Sequence, residues 1–192
     1  MASINKFKEP MVPWPDLSRF SKKIEIADND LSLFAYCAGK KENPALLMIH
    51  GLGDEADTWR HVILPLSEKF YVIAMDLPGF GRSDKPNLDY TPSFMIHTIM
   101  NLMDACEIQK AVLMGSSLGG IFSHQIAIDH PERVESLILI GGTLLPSASK
   151  GNWGLKLMAL PLVGEWFYTR LRKDPDAAYD SIRNVYYDLD HM

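Results

Sequence analysis

Apolar residues fall in short, near-continuous runs through the middle of this chain: Ala45 to Ile49, Tyr71 to Leu77, Ala111 to Met114 and Val134 to Ile140. Runs of this length, bounded by turn residues, predict strands buried on both faces. Between them the spacing becomes helical. Thr58 to Phe70 brings Trp59, Val62, Ile63 and Leu66 to one side, with Pro65 inside to shorten or kink the helix. Thr91 supplies an N-cap and Pro92 a first-turn residue for a helix to about Cys106, with Phe94, Ile99, Leu102, Met103 and Cys106 apolar. Leu118, Ile121, Phe122 and Ile126 share one face of a third helix that ends near His130-Pro131. Ahead of all this, Lys23 to Ala27 and Leu31 to Ala38 alternate around Asn29-Asp30, which predicts a β-hairpin. Strand and helix therefore alternate over residues 45–142. The expected fold class is α/β: a mostly parallel, doubly wound sheet with a leading antiparallel hairpin at one edge.

The texture differs at both ends. Residues 1–21 carry Pro10, Pro13, Pro15 and Trp14, resist helix and strand, and read as an arm lying on the domain, pinned by Trp14. Residues 143–192 carry Pro146, Pro161 and Pro175, many aromatics and helical stretches near 154–172 and 176–189, and no strand pattern returns. The division is thus an arm at 1–21, a core at 22–142 and a helical segment at 143–192.

Composition narrows the function. The chain has 192 residues, 47% of them hydrophobic and 22% charged, as in a globular protein. A net charge of −5 without a Lys/Arg block excludes nucleic acid as the main partner. Cys37 and Cys106 make neither a disulfide framework nor a metal pattern, and there is no H-E-x-x-H, so no metal is expected. With no apolar signal core in residues 1–20, no N-x-S/T site and no run long enough for a bilayer, a cytoplasmic location without membrane partner is expected. Nor is a cofactor. Gly115…Gly120 is followed by Ile121 rather than a P-loop Lys, and Gly51-Leu-Gly53 and Gly79-Phe-Gly81 lack the third glycine of a dinucleotide loop.

The chemistry lies in Gly115-Ser116-Ser117-Leu118-Gly119, a G-x-S-x-G set between a strand and a helix. That context predicts a tight, strained bend with Ser117 thrust out at the top of the sheet, the glycines allowing the backbone to close. The following helix aims its free N–H groups at the same spot. Asp54, Glu55 and Asp57 read as a solvated loop, one of them serving as a helix cap.

Together with His50-Gly51 after one strand and Asp76-Leu-Pro-Gly-Phe-Gly-Arg-Ser83 after the next, this motif makes residues 22–142 resemble an α/β-hydrolase. The resemblance implies that Ser117 is the nucleophile and that the backbone N–H groups of Leu52 and Leu118 form the oxyanion hole. It implies structural roles near the site for His50, Gly51, Gly115 and Gly119. It also implies that 143–192 begins a helical cap, whose Trp153 to Phe167 stretch either lines an acyl or aromatic pocket or packs on the core. The family order is nucleophile, acid, then His, and both later residues are expected beyond Met192. Among the histidines, His61 and His97 fall on flanking helices and His124 and His130 on the helix after Ser117, none well placed as base. His191 follows Asp188 and Asp190 at an unsuitable spacing.

The expected activity is cleavage of an ester-type bond, or an amide, thioester or carbon–carbon bond, through a Ser117 acyl-enzyme. The substrate would be a small molecule with an apolar acyl or aromatic part. The chain as given would be inactive unless another segment supplies the base and acid. The alternatives are an acyltransferase or lyase on the same scaffold and a non-catalytic binding module. An incomplete sheet would leave a bare edge, which invites a complementary C-terminal segment or a homo-oligomer.

Overall fold

The computed structural model describes residues 11–27 and 30–141. The chain divides between Leu144 and Leu145, and the described residues all belong to the first part. The expected cap, its helices near 154–172 and 176–189, the Trp153 to Phe167 stretch and His191 lie outside the described residues.

Six strands form one sheet: β1 (Ser21–Ile26), β2 (Leu31–Ala38), β3 (Ala45–Ile49), β4 (Tyr71–Met75), β5 (Ala111–Ser116) and β6 (Val134–Ile140), in the order β1-β2-β4-β3-β5-β6. β1 and β2 form the antiparallel hairpin, and β2 meets β4 antiparallel. The β4-β3, β3-β5 and β5-β6 neighbours are all parallel. Three helices accompany the sheet: α1 (Ile63–Ser67), α2 (Pro92–Ala105) and α3 (Leu118–Asp129).

Alternate side chains separate onto two faces, as a pleated strand requires. Leu47, Ile49, Ile73, Met75 and Leu113 pack with Ile99, Leu102 and Met103 of α2 and Phe122 and Ile126 of α3. Leu46, Met48, Val72, Ala74 and Tyr36 pack on the opposite face with Leu17, Trp59 and Ile63. Covering on both sides explains why β3 and β4 are almost wholly apolar and buried. β2 is buried nearly throughout for the same reason, so its sequence alternation does not become an exposed face.

The expected helix at 58–70 is shorter and broken. A 3-10 turn at Ala56–Trp59 is followed by α1, with Pro65 in the first turn, where its missing N–H costs nothing. Val62 consequently faces outward, 40% exposed, rather than inward. In α2 the buried stripe is wider than expected and includes Met95 and Met100, while Phe94 is half-buried. Pro15–Phe20, expected to be irregular, forms a 3-10 turn led by Pro15, with Leu17 fully buried. The backbone N–H of Trp14 donates to the Tyr36 hydroxyl at 2.8 Å, and the Arg60 guanidinium lies 5.0 Å from the Trp14 ring centre. No helix among the described residues is long and apolar enough to cross a membrane.

Candidate active site

The parallel register sets Ile49 beside Met75 on one side and beside Gly115 on the other. The carboxyl ends of β3, β4 and β5 therefore release His50, Asp76 and Ser117 at one end of the sheet, the usual ligand end of an open α/β fold.

Ser117 has φ 48° and ψ −113°. A positive φ combined with this ψ lies outside the left-handed helical well and costs a non-glycine residue on the order of 1–3 kcal/mol. Close backbone packing enforces it. Gly119 lies against the carbonyls of Ile49 and His50, and a Cβ there would come 2.6 Å from the His50 oxygen. A Cβ on Gly115 would come 2.5 Å from the Gly120 nitrogen. The Ser117 N–H donates to the Ile140 carbonyl at 2.9 Å, and its own carbonyl accepts from Ile121 N–H at 3.2 Å. A serine ahead of a helix ordinarily caps it, yet the Ser117 side chain makes no capping bond and is exposed.

The loop after β3 lies alongside. A Cβ on Gly51 would sit 3.3 Å from the Ser117 Cβ. The Leu118 N–H opens α3 and has no carbonyl one turn earlier. Neither it nor the Leu52 N–H donates to a backbone carbonyl among the described residues.

His50 is fully buried and engaged at both nitrogens. Leu77 N–H donates to Nε2 at 2.9 Å, so the ring proton is on Nδ1, which donates to the Gly51 carbonyl at 2.7 Å. Burial pushes its pKa down, opposed by the Gly51 bond. A neutral imidazole occupied in this way ties the exit of β4 to the loop beside Ser117 and has no free nitrogen to take a proton. The other described histidines stand elsewhere. His61 is in the turn before α1, not on a helix. His97 is on the outside of α2, His124 is partly buried on α3, and His130 ends α3 with Glu132 at 3.7 Å.

Behind the loops is a charge cluster that differs from the solvated loop expected of Asp54, Glu55 and Asp57. The fully buried Asp76 carboxylate accepts from Ala56 N–H at 2.6 Å, Arg82 N–H at 2.7 Å and Arg82 Nε at 2.8 Å. Arg82 Nη1 also donates to Asp57 and to the Tyr36 hydroxyl, each at 2.8 Å, while that hydroxyl donates to Asp57 at 2.5 Å. The guanidinium lies 4.0 Å from the Phe34 ring centre. Burial opposes the Arg82 charge, but Asp76 and Asp57 outweigh it and raise the pKa. Burial, then the Asp57 bond, pushes Tyr36 up to about 12. Glu55 is half-buried, and burial raises its carboxyl; Asp54 accepts from Glu55 N–H at 2.9 Å. Asp57 escaped sequence reading because its partners, Tyr36 and Arg82, lie 21 and 25 residues away.

An apolar cavity of about 350 Å³ opens beside the elbow, between Leu52 and Leu118 on one side and Phe80, Tyr90, Met95 and Phe122 on the others. No sequence motif marks these residues; the only hint is that they are apolar at strand-end loops and first helical turns. Among the described residues, no group of three His, Cys, Asp or Glu is placed to hold a metal ion.

Residues 44–178 match the family described as alpha/beta hydrolase fold. The chain is 38% identical over 130 residues to an uncharacterized protein of Mycobacterium bovis, a match covering 62% of this chain and 38% of that one. It thus spans well under half of that relative. It is 32% identical over 119 residues to epoxide hydrolase 4 of Mus musculus, covering 61% of the chain and 33% of the relative. The structure superposes on 2-hydroxy-6-oxo-6-phenylhexa-2,4-dienoate hydrolase of Rhodococcus sp. strain RHA1 with TM-score 0.59 and 32% identity, over 64% of this chain and 46% of the enzyme.

Proposed function

The chain belongs to the α/β-hydrolase fold family, and from that premise we propose that it carries the nucleophile and oxyanion hole of a serine hydrolase cleaving an ester-type bond. The observation that carries this reading is Ser117 itself: a strained, exposed serine at a helix start whose hydroxyl caps nothing. Strain of this kind persists where surrounding structure over-determines it, and clusters at active sites.

In this reading the Ser117 hydroxyl attacks the substrate carbonyl carbon, and the N–H groups of Leu52 and Leu118 receive the oxyanion. The tetrahedral intermediate expels the alcohol and leaves an acyl-serine, which water releases. Each oxyanion donor contributes about 3–4 kcal/mol. Serine is a weak nucleophile at neutral pH and must lose its proton to a base. His50 is unsuited because both ring nitrogens are bonded, so the reading assigns the base and its orienting acid to residues outside those described. The relatives' names refer to different bonds; the ester assignment is ours.

The test uses the full-length protein and a fluorophosphonate probe. Labelling that maps to Ser117 and disappears in Ser117→Ala, together with release of acid from a neutral ester, is the expected result. An unlabelled Ser117 in folded protein would favour the non-catalytic module. Products carrying an added alcohol or amine instead of water would favour the transferase.

A further inference from the structure

The cavity beside the elbow has a composition that selects its occupant. Among the described residues, no charged side chain lines it, and the one polar side-chain group is the Tyr90 hydroxyl. That hydroxyl already donates to the Pro86 carbonyl at 2.8 Å. A charged group entering the cavity would lose its water and meet no partner, whereas each methylene gains from burial. A dry cavity of about 150 Å³ holds benzene, so one of 350 Å³ has room for about twice that.

Tyr90 is held in place from three directions. Its ring meets Phe94 edge to face, with centroids 5.7 Å apart. Its hydroxyl is tied to Pro86. Its ring rests on the bare backbone of Gly79, where an added Cβ would come 2.6 Å from a ring carbon. Thr91, the next residue, caps α2 by accepting from Phe94 N–H at 3.1 Å, so the wall cannot swing without disturbing the start of that helix.

We propose that this cavity is the acyl site, that it takes an uncharged alkyl or aryl group of about twelve carbons, and that Tyr90, seated by Gly79, is the wall that limits its size. The proposal rests on the hydrolase reading for the identity of the ligand as an acyl group, but not for the shape or chemistry of the cavity.

The experiment measures binding of straight-chain methyl esters from about four to eighteen carbons, a range that brackets the cavity's capacity, to full-length Ser117→Ala protein, which holds ligand without turnover. Affinity should rise about three- to fourfold per methylene and level off at about twelve carbons. The same esters ending in a second carboxylate at the far end of the chain should bind at least tenfold more weakly. Tyr90→Ala should move the plateau to longer chains. Tyr90→Phe keeps the ring and should leave the plateau in place. Affinity independent of chain length, equal binding of the carboxylate series, or an unmoved plateau in folded Tyr90→Ala would overturn the proposal. If the fluorophosphonate fails to label Ser117 while the chain-length profile appears as described, the nucleophile assignment falls and the cavity assignment stands.

Discussion

Arg82 stands between two carboxylates and two aromatic rings with only 6% of its side chain exposed. Such a cluster is specific rather than cheap: its worth lies in having no unpaired member. Replacing Arg82 with Met strands the fully buried Asp76 carboxylate and should cost about 3–5 kcal/mol, read as a lower urea midpoint with an unchanged slope. His50 makes a pH prediction. It is neutral in the fold with its pKa lowered by burial, and in the unfolded chain it titrates near about 6.5. Below that value the unfolded chain binds more protons than the fold, so stability rises with pH through the window and is lost as pH falls. Urea midpoints between pH 7.5 and 5.5 should therefore decline on acidification, and decline less steeply in His50→Gln. An equal slope in both proteins would deny His50 this role.

The elements decide where the reactive residue sits. The bend between β5 and α3 works because α3 begins one residue after Ser117 and its second residue, Gly119, has no side chain to keep it off the end of β3. Gly119→Ala should wedge the helix away from the Ile49 and His50 carbonyls and cut fluorophosphonate labelling of Ser117 more than tenfold, even in preparations that keep native circular dichroism. α2 carries a simpler device. Its Thr91 cap is surface-exposed and satisfies one N–H, so Thr91→Ala should cost about 1 kcal/mol in urea unfolding. Both features were legible beforehand, because caps, first-turn prolines and glycine pairs act within a few residues. α1 was misjudged because the hydrophobic spacing of Thr58 to Phe70 runs across a 3-10 turn and a break, and periodicity does not register a change of helix type.

At the scale of the whole sheet, the two edges differ. β1 is a short hairpin arm with Lys22 and Lys23 exposed, the charges that natural edges use against unwanted pairing. β6 at the other edge exposes Ile138, Leu139 and Ile140 by 38–46%. Its last carbonyl also holds the Ser117 amide, so whatever pairs with β6 bears on the elbow. An apolar edge of this kind is a template for another strand. The 192-residue chain by itself should associate in a concentration-dependent way by analytical ultracentrifugation, and Leu139→Lys should shift it toward monomer. A monomer at all concentrations, indifferent to that substitution, would show that the β6 edge is protected.

The amino-acid order alone determined the strand succession, the hairpin, the Thr91 cap and the bend at Ser117. Each depends on residues near one another in the chain, through backbone geometry, side-chain period or steric allowance. The tertiary structure decided the rest: that Asp57 leaves solvent for Arg82 and Tyr36, that His50 spends both nitrogens on backbone groups, and that Phe80, Tyr90, Met95 and Phe122 line one cavity. These pairings join residues brought together by strand order, and a one-dimensional pattern carries no record of which distant groups a sheet will place in contact.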